Sequence, residues 1–226
     1  MSLSFRNYIQ SICSVGTAFW LISCSSSLNI IDKPISFSPN RIDLTKEYIH
    51  NRYGLDTNTI AIDPKMIVVH WTAIPTLQKS FDVFNKEMLD STRPGIQHAG
   101  MVNVSIQFLV DTDGTVYRLM PETWMARHVI GLNMEAIGIE NVGGENDVDN
   151  LTDEQLEANE KIVRYLKKKY PEIEYLIGHY EYRDFESSPL WEEKDPTYRT
   201  KKTDPGPRFL GLLRDRVSDL GLKGVP

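Results

Sequence analysis

Apolar and polar positions along the chain follow two alternating periods. KMIVVH (65–70) is an unbroken, β-branched run directly behind Pro64, the pattern of a buried strand. VSIQFLVDTDGTVYRLM (104–120) alternates on both sides of Asp113-Gly114 and predicts a hairpin. AIGIENVG (136–143) and IEYLIGHYEY (173–182) read as two further strands. Helical spacing predicts a short helix over 42–53, stopped by Gly54. A second is expected over 76–90, with Leu77, Phe81, Phe84 and Met88 on one face. A third begins at the capping box Thr152–Gln155, carries Leu156, Ile162, Val163, Leu166 and Tyr170 inward, and stops at Pro171. RFLGLLRDRV (208–217) is the last helix, and 183–203 is a long polar excursion with Trp191 and several prolines. Strands and helices intermix without strict βαβ alternation. The expected fold is therefore α/β, a central mixed β-sheet flanked by helices.

The first residues follow neither period. MSLSFRNYIQSICSVGTAFWLISC has one arginine, then an apolar stretch from Ile12 to Ile22 too short for a comfortable membrane span. It closes on Leu21-Ile22-Ser23-Cys24, which resembles a bacterial lipobox. Three segments are expected on this reading: a lipoprotein signal peptide over 1–23, a lipidated Cys24 with a tether over 24–40, and a single domain over 41–226. Acyl chains on Cys24 would hold the protein to a membrane face, in the bacterial cell envelope and facing the periplasm. An ordinary signal peptide, or an N-terminal anchor, is the alternative.

Composition narrows the partners. With 41% hydrophobic residues a core can form, and with net charge −6 nothing resembles a nucleic-acid footprint. The run Lys167–Lys169 suits the negative end of a helix dipole. Both cysteines, Cys13 and Cys24, lie in the N-terminal segment. A mature domain would have no thiol nucleophile and no cysteine-ligated zinc. DTDG (111–114) lacks the third ligand position and the closing glutamate of a calcium loop, so it is a turn. A monomer is expected.

The remaining polar residues fall at strand ends. His70 closes IVVH, His179 closes YLIGH, and Asp204 follows in TKKTDPGP. Two imidazoles and a carboxylate form a standard open zinc set with the fourth position left to water. Spacing alone favours hydrogen-bonded structural histidines, and leaves Asp204 as readily a turn residue before Pro-Gly. HExxH, CxxC, GxSxG and GxGxxG are all absent.

Longer words shift the balance between these. IVVHWTA, the hairpin, ARH (126–128), AIGIENVGG, IGHYEY and KKTDPGP occur in this order. Together, over roughly residues 60 to 217, they resemble the zinc-dependent type 2 N-acetylmuramoyl-L-alanine amidases and the peptidoglycan recognition proteins. The resemblance implies zinc held by His70, His179 and Asp204, with Glu140 as general base and Lys202 facing the same site. It implies hydrolysis of the amide between the lactyl group of N-acetylmuramic acid and L-alanine, in peptidoglycan or muropeptides. Glu140 would move the proton from water to the leaving amine, and Lys202 would stabilise the oxyanion. His128 matches a histidine that follows the hairpin and is expected in the cleft, as a substrate-binding residue rather than a ligand.

Departures from the pattern leave some points open. Where many relatives carry a tyrosine the chain has Ile106 followed by Gln107, so the chemistry leans on Glu140. Lys201 is an alternative to Lys202, and Glu140 can also be read as a strand residue paired with a lysine. The excursion is expected either to wall the cleft or to cover a neighbouring helix. His50 and His98 are expected to be structural or exposed. A non-catalytic peptidoglycan-binding module of the same fold is the alternative function; such modules typically lose a ligand, and this chain keeps all three.

Overall fold

A computed structural model describes residues 27–90 and 93–226, with Met1 alone before them. The expected signal peptide and Cys24 lie outside the described residues. No helix among the described residues is long and apolar enough to cross a membrane.

One six-stranded sheet organises the domain. Its strands are β1 (Ile30–Asp32), β2 (Met66–Trp71), β3 (Phe108–Val110), β4 (Val116–Arg118), β5 (Ala136–Asn141) and β6 (Tyr175–Gly178), in the spatial order β1-β4-β3-β5-β2-β6. The strands β3, β5, β2 and β6 run parallel, β4 is antiparallel to β3, and β1 is parallel to β4. Central β2 is buried at every position, as its unbroken apolar run requires. The helices are α1 (Pro39–Tyr53), α2 (Leu77–Asn85), α3 (Pro94–Gln97), α4 (Asp153–Lys169) and α5 (Pro207–Arg216). The expected mixed sheet flanked by helices is the observed architecture.

Local signals explain most boundaries. Gly54 ends α1 in the left-handed conformation, donating its N–H to the His50 carbonyl. Thr152 and Gln155 form the expected capping box of α4, so two orphan N–H groups are satisfied reciprocally.

Three expectations change. The helix expected over 76–90 ends at Asn85, because the Asn103 amide donates to the Val83 and Lys86 carbonyls at 2.7 and 2.8 Å. The chain beyond is extended, pairs with the 101–103 segment, and leaves Met88 exposed. The strand expected over 173–182 ends at Gly178 and becomes a 3₁₀ helix over His179–Phe185. There the Glu181 carboxylate accepts from the Gly178 N–H and is held by Arg214, which turns the chain. Finally, residues 30–40, expected to be tether, belong to the domain. β1 pairs with β4, Asp32 binds Arg118 at 2.7 Å, Ile35 is buried and α1 starts at Pro39.

The 183–203 excursion packs on α1 and on the 126–133 loop. Glu193 is buried and grips Arg52 of α1 at 2.6 and 3.1 Å. Trp191 lies against Gly131, where a Cβ would come within 2.7 Å of the ring. Of the two expected roles, covering a helix is the one its middle fulfils; its end, Lys201–Thr203, lines the cleft.

Candidate metal centre

The parallel strands deliver the site. His70 is the fifth residue of β2, Glu140 the fifth of β5, and His179 directly follows β6. All three therefore emerge at the carboxyl ends of adjacent strands, where open α/β sheets form their crevices. Asp204 arrives from the last loop. Gly206 donates its N–H to the Thr203 carbonyl, and Tyr180 donates to the Asp204 carbonyl, each at 3.0 Å. The Pro-Gly turn thus fixes the aspartate onto the segment that carries His179.

Three ligand atoms converge. His70 Nδ1 and His179 Nδ1 are 2.9 Å apart, and Asp204 Oδ2 is 3.1 and 3.0 Å from them. All three residues are buried. Burial holds both imidazoles below their ordinary pKa, that of His179 at about 4, against the opposing pull of Asp204. Burial pushes Asp204 upward, but the two histidines outweigh it and keep it a carboxylate. Two neutral rings and a carboxylate facing one another make a donor set that fits a small divalent ion. The N₂O composition is that of an open zinc site, and this is the one such group among the described residues.

Glu140 stands next to this group on β5. Its Oε2 is buried without a hydrogen-bond partner. Burial, reinforced by the charge of Asp204, pushes its pKa up to about 8, while Lys202 and Arg93 pull it down. A carboxyl so poised exchanges a proton near neutral pH. Lys202 is half-buried in the cleft, and its charge acts on His70, His179 and Glu140. Lys201 also lines the cleft but is exposed. His128 lines the cleft too, yet its Nδ1 is 2.9 Å from His70 Nε2, on the side of that ring away from the other ligands. Gln107, in the place of the missing tyrosine's neighbour, is structural: it accepts from the Gly138 N–H and donates to the Trp124 carbonyl. His50 is exposed and pairs with Asp56; exposed His98 packs edge-on against Tyr198.

The sequence reading overlooked two groups. Asn141 donates to the His70 backbone carbonyl at 3.0 Å and accepts from Asn159 at 2.6 Å, which ties the end of β2 to α4. The signal was an asparagine on the apolar face of a helix, at Asn159. Arg93 lines the cleft, and its charge acts on Glu140; nothing in its local sequence marked it.

The cleft formed by Trp71–Ile74, Arg93, Glu140, Asp147 and Lys201–Asp204 has a volume of about 300 Å³. The sequence profile of the N-acetylmuramoyl-L-alanine amidase family matches residues 61–207, which includes every residue of this centre. The chain belongs to that family. The present domain shares the fold of solved amidases. One similar structure is the endolysin N-acetylmuramoyl-L-alanine amidase LysCS from Clostridium intestinale, with 21% identity and a TM-score of 0.50, covering 88% of this chain and 99% of that one. Another is AmpD, crystallised as a selenomethionine derivative, also at 21% identity and a TM-score of 0.50, covering 83% and 93%. No curated protein sequence gives a significant match.

Proposed function

We propose that this protein is a zinc-dependent N-acetylmuramoyl-L-alanine amidase. It cuts the amide between the lactyl group of N-acetylmuramic acid and L-alanine in peptidoglycan or muropeptides, during cell-wall turnover. The observation that carries this reading is the convergence of His70 Nδ1, His179 Nδ1 and Asp204 Oδ2 beside Glu140, whose buried Oε2 has no partner, in a chain of the amidase family.

His70, His179 and Asp204 would hold the ion. Bound there, zinc supplies Lewis acidity, lowering the pKa of water towards about 7 and polarising a carbonyl oxygen. Glu140 accepts the proton of the attacking water at its free carboxyl oxygen and returns it to the leaving amine. Lys202 places an ammonium where negative charge develops on the former carbonyl oxygen. Asn141 and Asn159 keep the end of β2, and hence His70, from shifting during these steps. The lipobox-like segment supports an anchor at Cys24 that holds the enzyme at a bacterial envelope membrane.

The test is direct. The zinc-loaded protein is incubated with defined muropeptides and the products are weighed by mass spectrometry. The reading requires release of intact stem peptide with a free L-alanine amine. Binding without any such product would make the chain a recognition module instead.

A further inference from the structure

A neutral imidazole binds an ion through its unprotonated nitrogen. His70 Nδ1 is the ring atom that faces His179 Nδ1 and Asp204 Oδ2. An ion held there requires the His70 proton on Nε2, where the acceptor is His128 Nδ1 at 2.9 Å. His128 must then carry its own proton on Nε2. The Ala136 backbone carbonyl faces this ring but is too loosely placed for a full hydrogen bond to Nε2.

We propose that His128 is a positioning residue for the metal centre: by accepting from His70 Nε2 it fixes the tautomer that leaves His70 Nδ1 free to bind the ion. The inference rests on the reading of His70 as a ligand. It replaces a substrate-binding role for His128 with one exercised through another ring. β5 is built to receive it. A Cβ on Gly138 would lie 2.9 Å from His128 Nδ1, and 2.1 Å from the buried Ile106 Cδ1. Glycine at 138 thus gives the imidazole its place over the strand, next to β2 and His70. The Gly138 N–H is itself bound by Gln107 Oε1 at 2.8 Å, which fixes the strand beneath the ring. The outer nitrogen of a ligating histidine ordinarily donates to a carboxylate, a carbonyl or water. Here a second neutral imidazole fills that role, and it adds no negative charge behind the ligand.

Two measurements decide the matter. Long-range ¹H–¹⁵N correlation spectra of the metal-free wild-type protein are expected to show His70 and His128 both protonated on Nε2. A proton on His128 Nδ1 would overturn the proposal, whether or not the protein binds zinc at all. The second measurement is zinc affinity by chelator competition. His128→Leu is expected to bind about 10- to 100-fold more weakly, the usual range for losing such an outer partner. His128→Asn, whose side-chain oxygen accepts near the Nδ1 position, should recover most of the loss. Zinc affinity unchanged in His128→Leu, with KM raised instead, would return His128 to a substrate contact. Should the leucine variant fail to fold, the wild-type spectra and His128→Asn still decide the proposal.

Discussion

Glu140 and His70 are register partners in the parallel β2–β5 ladder, so their side chains leave the same face of the sheet side by side. One residue is assigned to the metal and the other to the proton, and their substitutions should separate accordingly. Glu140→Gln keeps the shape and hydrogen-bonding reach of the side chain but cannot accept a proton. Zinc content and muropeptide affinity should stay near wild type, while turnover falls by about a hundredfold or more. Equal turnover in both proteins would show that Glu140 is the wrong base.

His70 and His179 should behave in the opposite way. Each contributes one of three convergent ligand atoms, and an open zinc site has no spare protein ligand. Elemental analysis of the purified protein should find about one zinc per chain, and His70→Ala or His179→Ala should abolish tight binding. Both variants retaining stoichiometric zinc would sink the assignment.

The excursion depends on a buried ion pair. The Glu193 side chain is fully buried against Arg52, and its Oε1 also accepts from the Asp195 N–H at 2.8 Å. The Arg52 guanidinium in turn lies 4.6 Å from the centre of the Tyr198 ring. Removing Glu193 leaves the Arg52 guanidinium only the looser, part-exposed Asp195 at 3.4 Å as a charged partner, and breaking a buried pair costs about 3–5 kcal/mol. Glu193→Ala should lower the unfolding free energy by that amount in urea titration. A loss below about 1 kcal/mol would mean that Arg52 finds water when its partner goes.

The parts of this architecture legible in the sequence are those with local causes. β2 was visible because a strand buried on both faces is apolar at every position, and α4 because its capping box is two side chains three residues apart. The convergence of His70, His179 and Asp204 was expected from the order of short words along the chain. What escaped depends on distant partners. β1 is three residues long, two of them exposed, and exists because β4 and Arg118 lie beside it in space. The early end of α2 is set by Asn103, 17 residues beyond Lys86. The place of His128 depends on Gly138 in another strand, and no periodicity in ARH announces it.

A pH dependence of stability follows from Glu135. Burial, and then the charge of Glu192, push its pKa up to about 7 from an ordinary 4.5, with Lys65 opposing. The folded state therefore holds this proton more tightly than the unfolded chain. Stability contributed by the protonated form is present below pH 4.5 and is lost as pH rises towards 7. Glu135→Gln should remove the loss: its melting temperature should exceed that of wild type at pH 8, with the gap closing near pH 4. A gap of the same size at both pH values would trace the effect to packing rather than to ionisation.

The last prediction concerns how the domain meets a membrane. β1 is parallel to β4 and so runs opposite to β2, β5 and β6. Its N-terminal end consequently lies at the end of the sheet that carries His70, Glu140 and His179. Ser27–Asn29 confirm the placement, because they border the β3–β4 turn at Asp113-Gly114 and the start of α4. With Cys24 as the acylated residue, six residue steps lead to Ile30, a reach of at most about 20 Å. A tether running to residue 40 would have allowed more than twice that. The acyl chains would hold the cleft end of the domain close to the bilayer, with the opposite end, at Pro171-Glu172, turned away. Cys24→Ser should abolish both fatty-acid labelling and recovery in the membrane fraction; equal labelling of wild type and variant would reject Cys24 as the lipid site. For orientation, a fluorophore at Lys201→Cys should be quenched by brominated lipids in vesicles carrying the acylated protein, and one at Glu172→Cys should be quenched much less. Stronger quenching at position 172 would mean that the domain swings freely, or sits the other way up, and the short leash would not set its orientation.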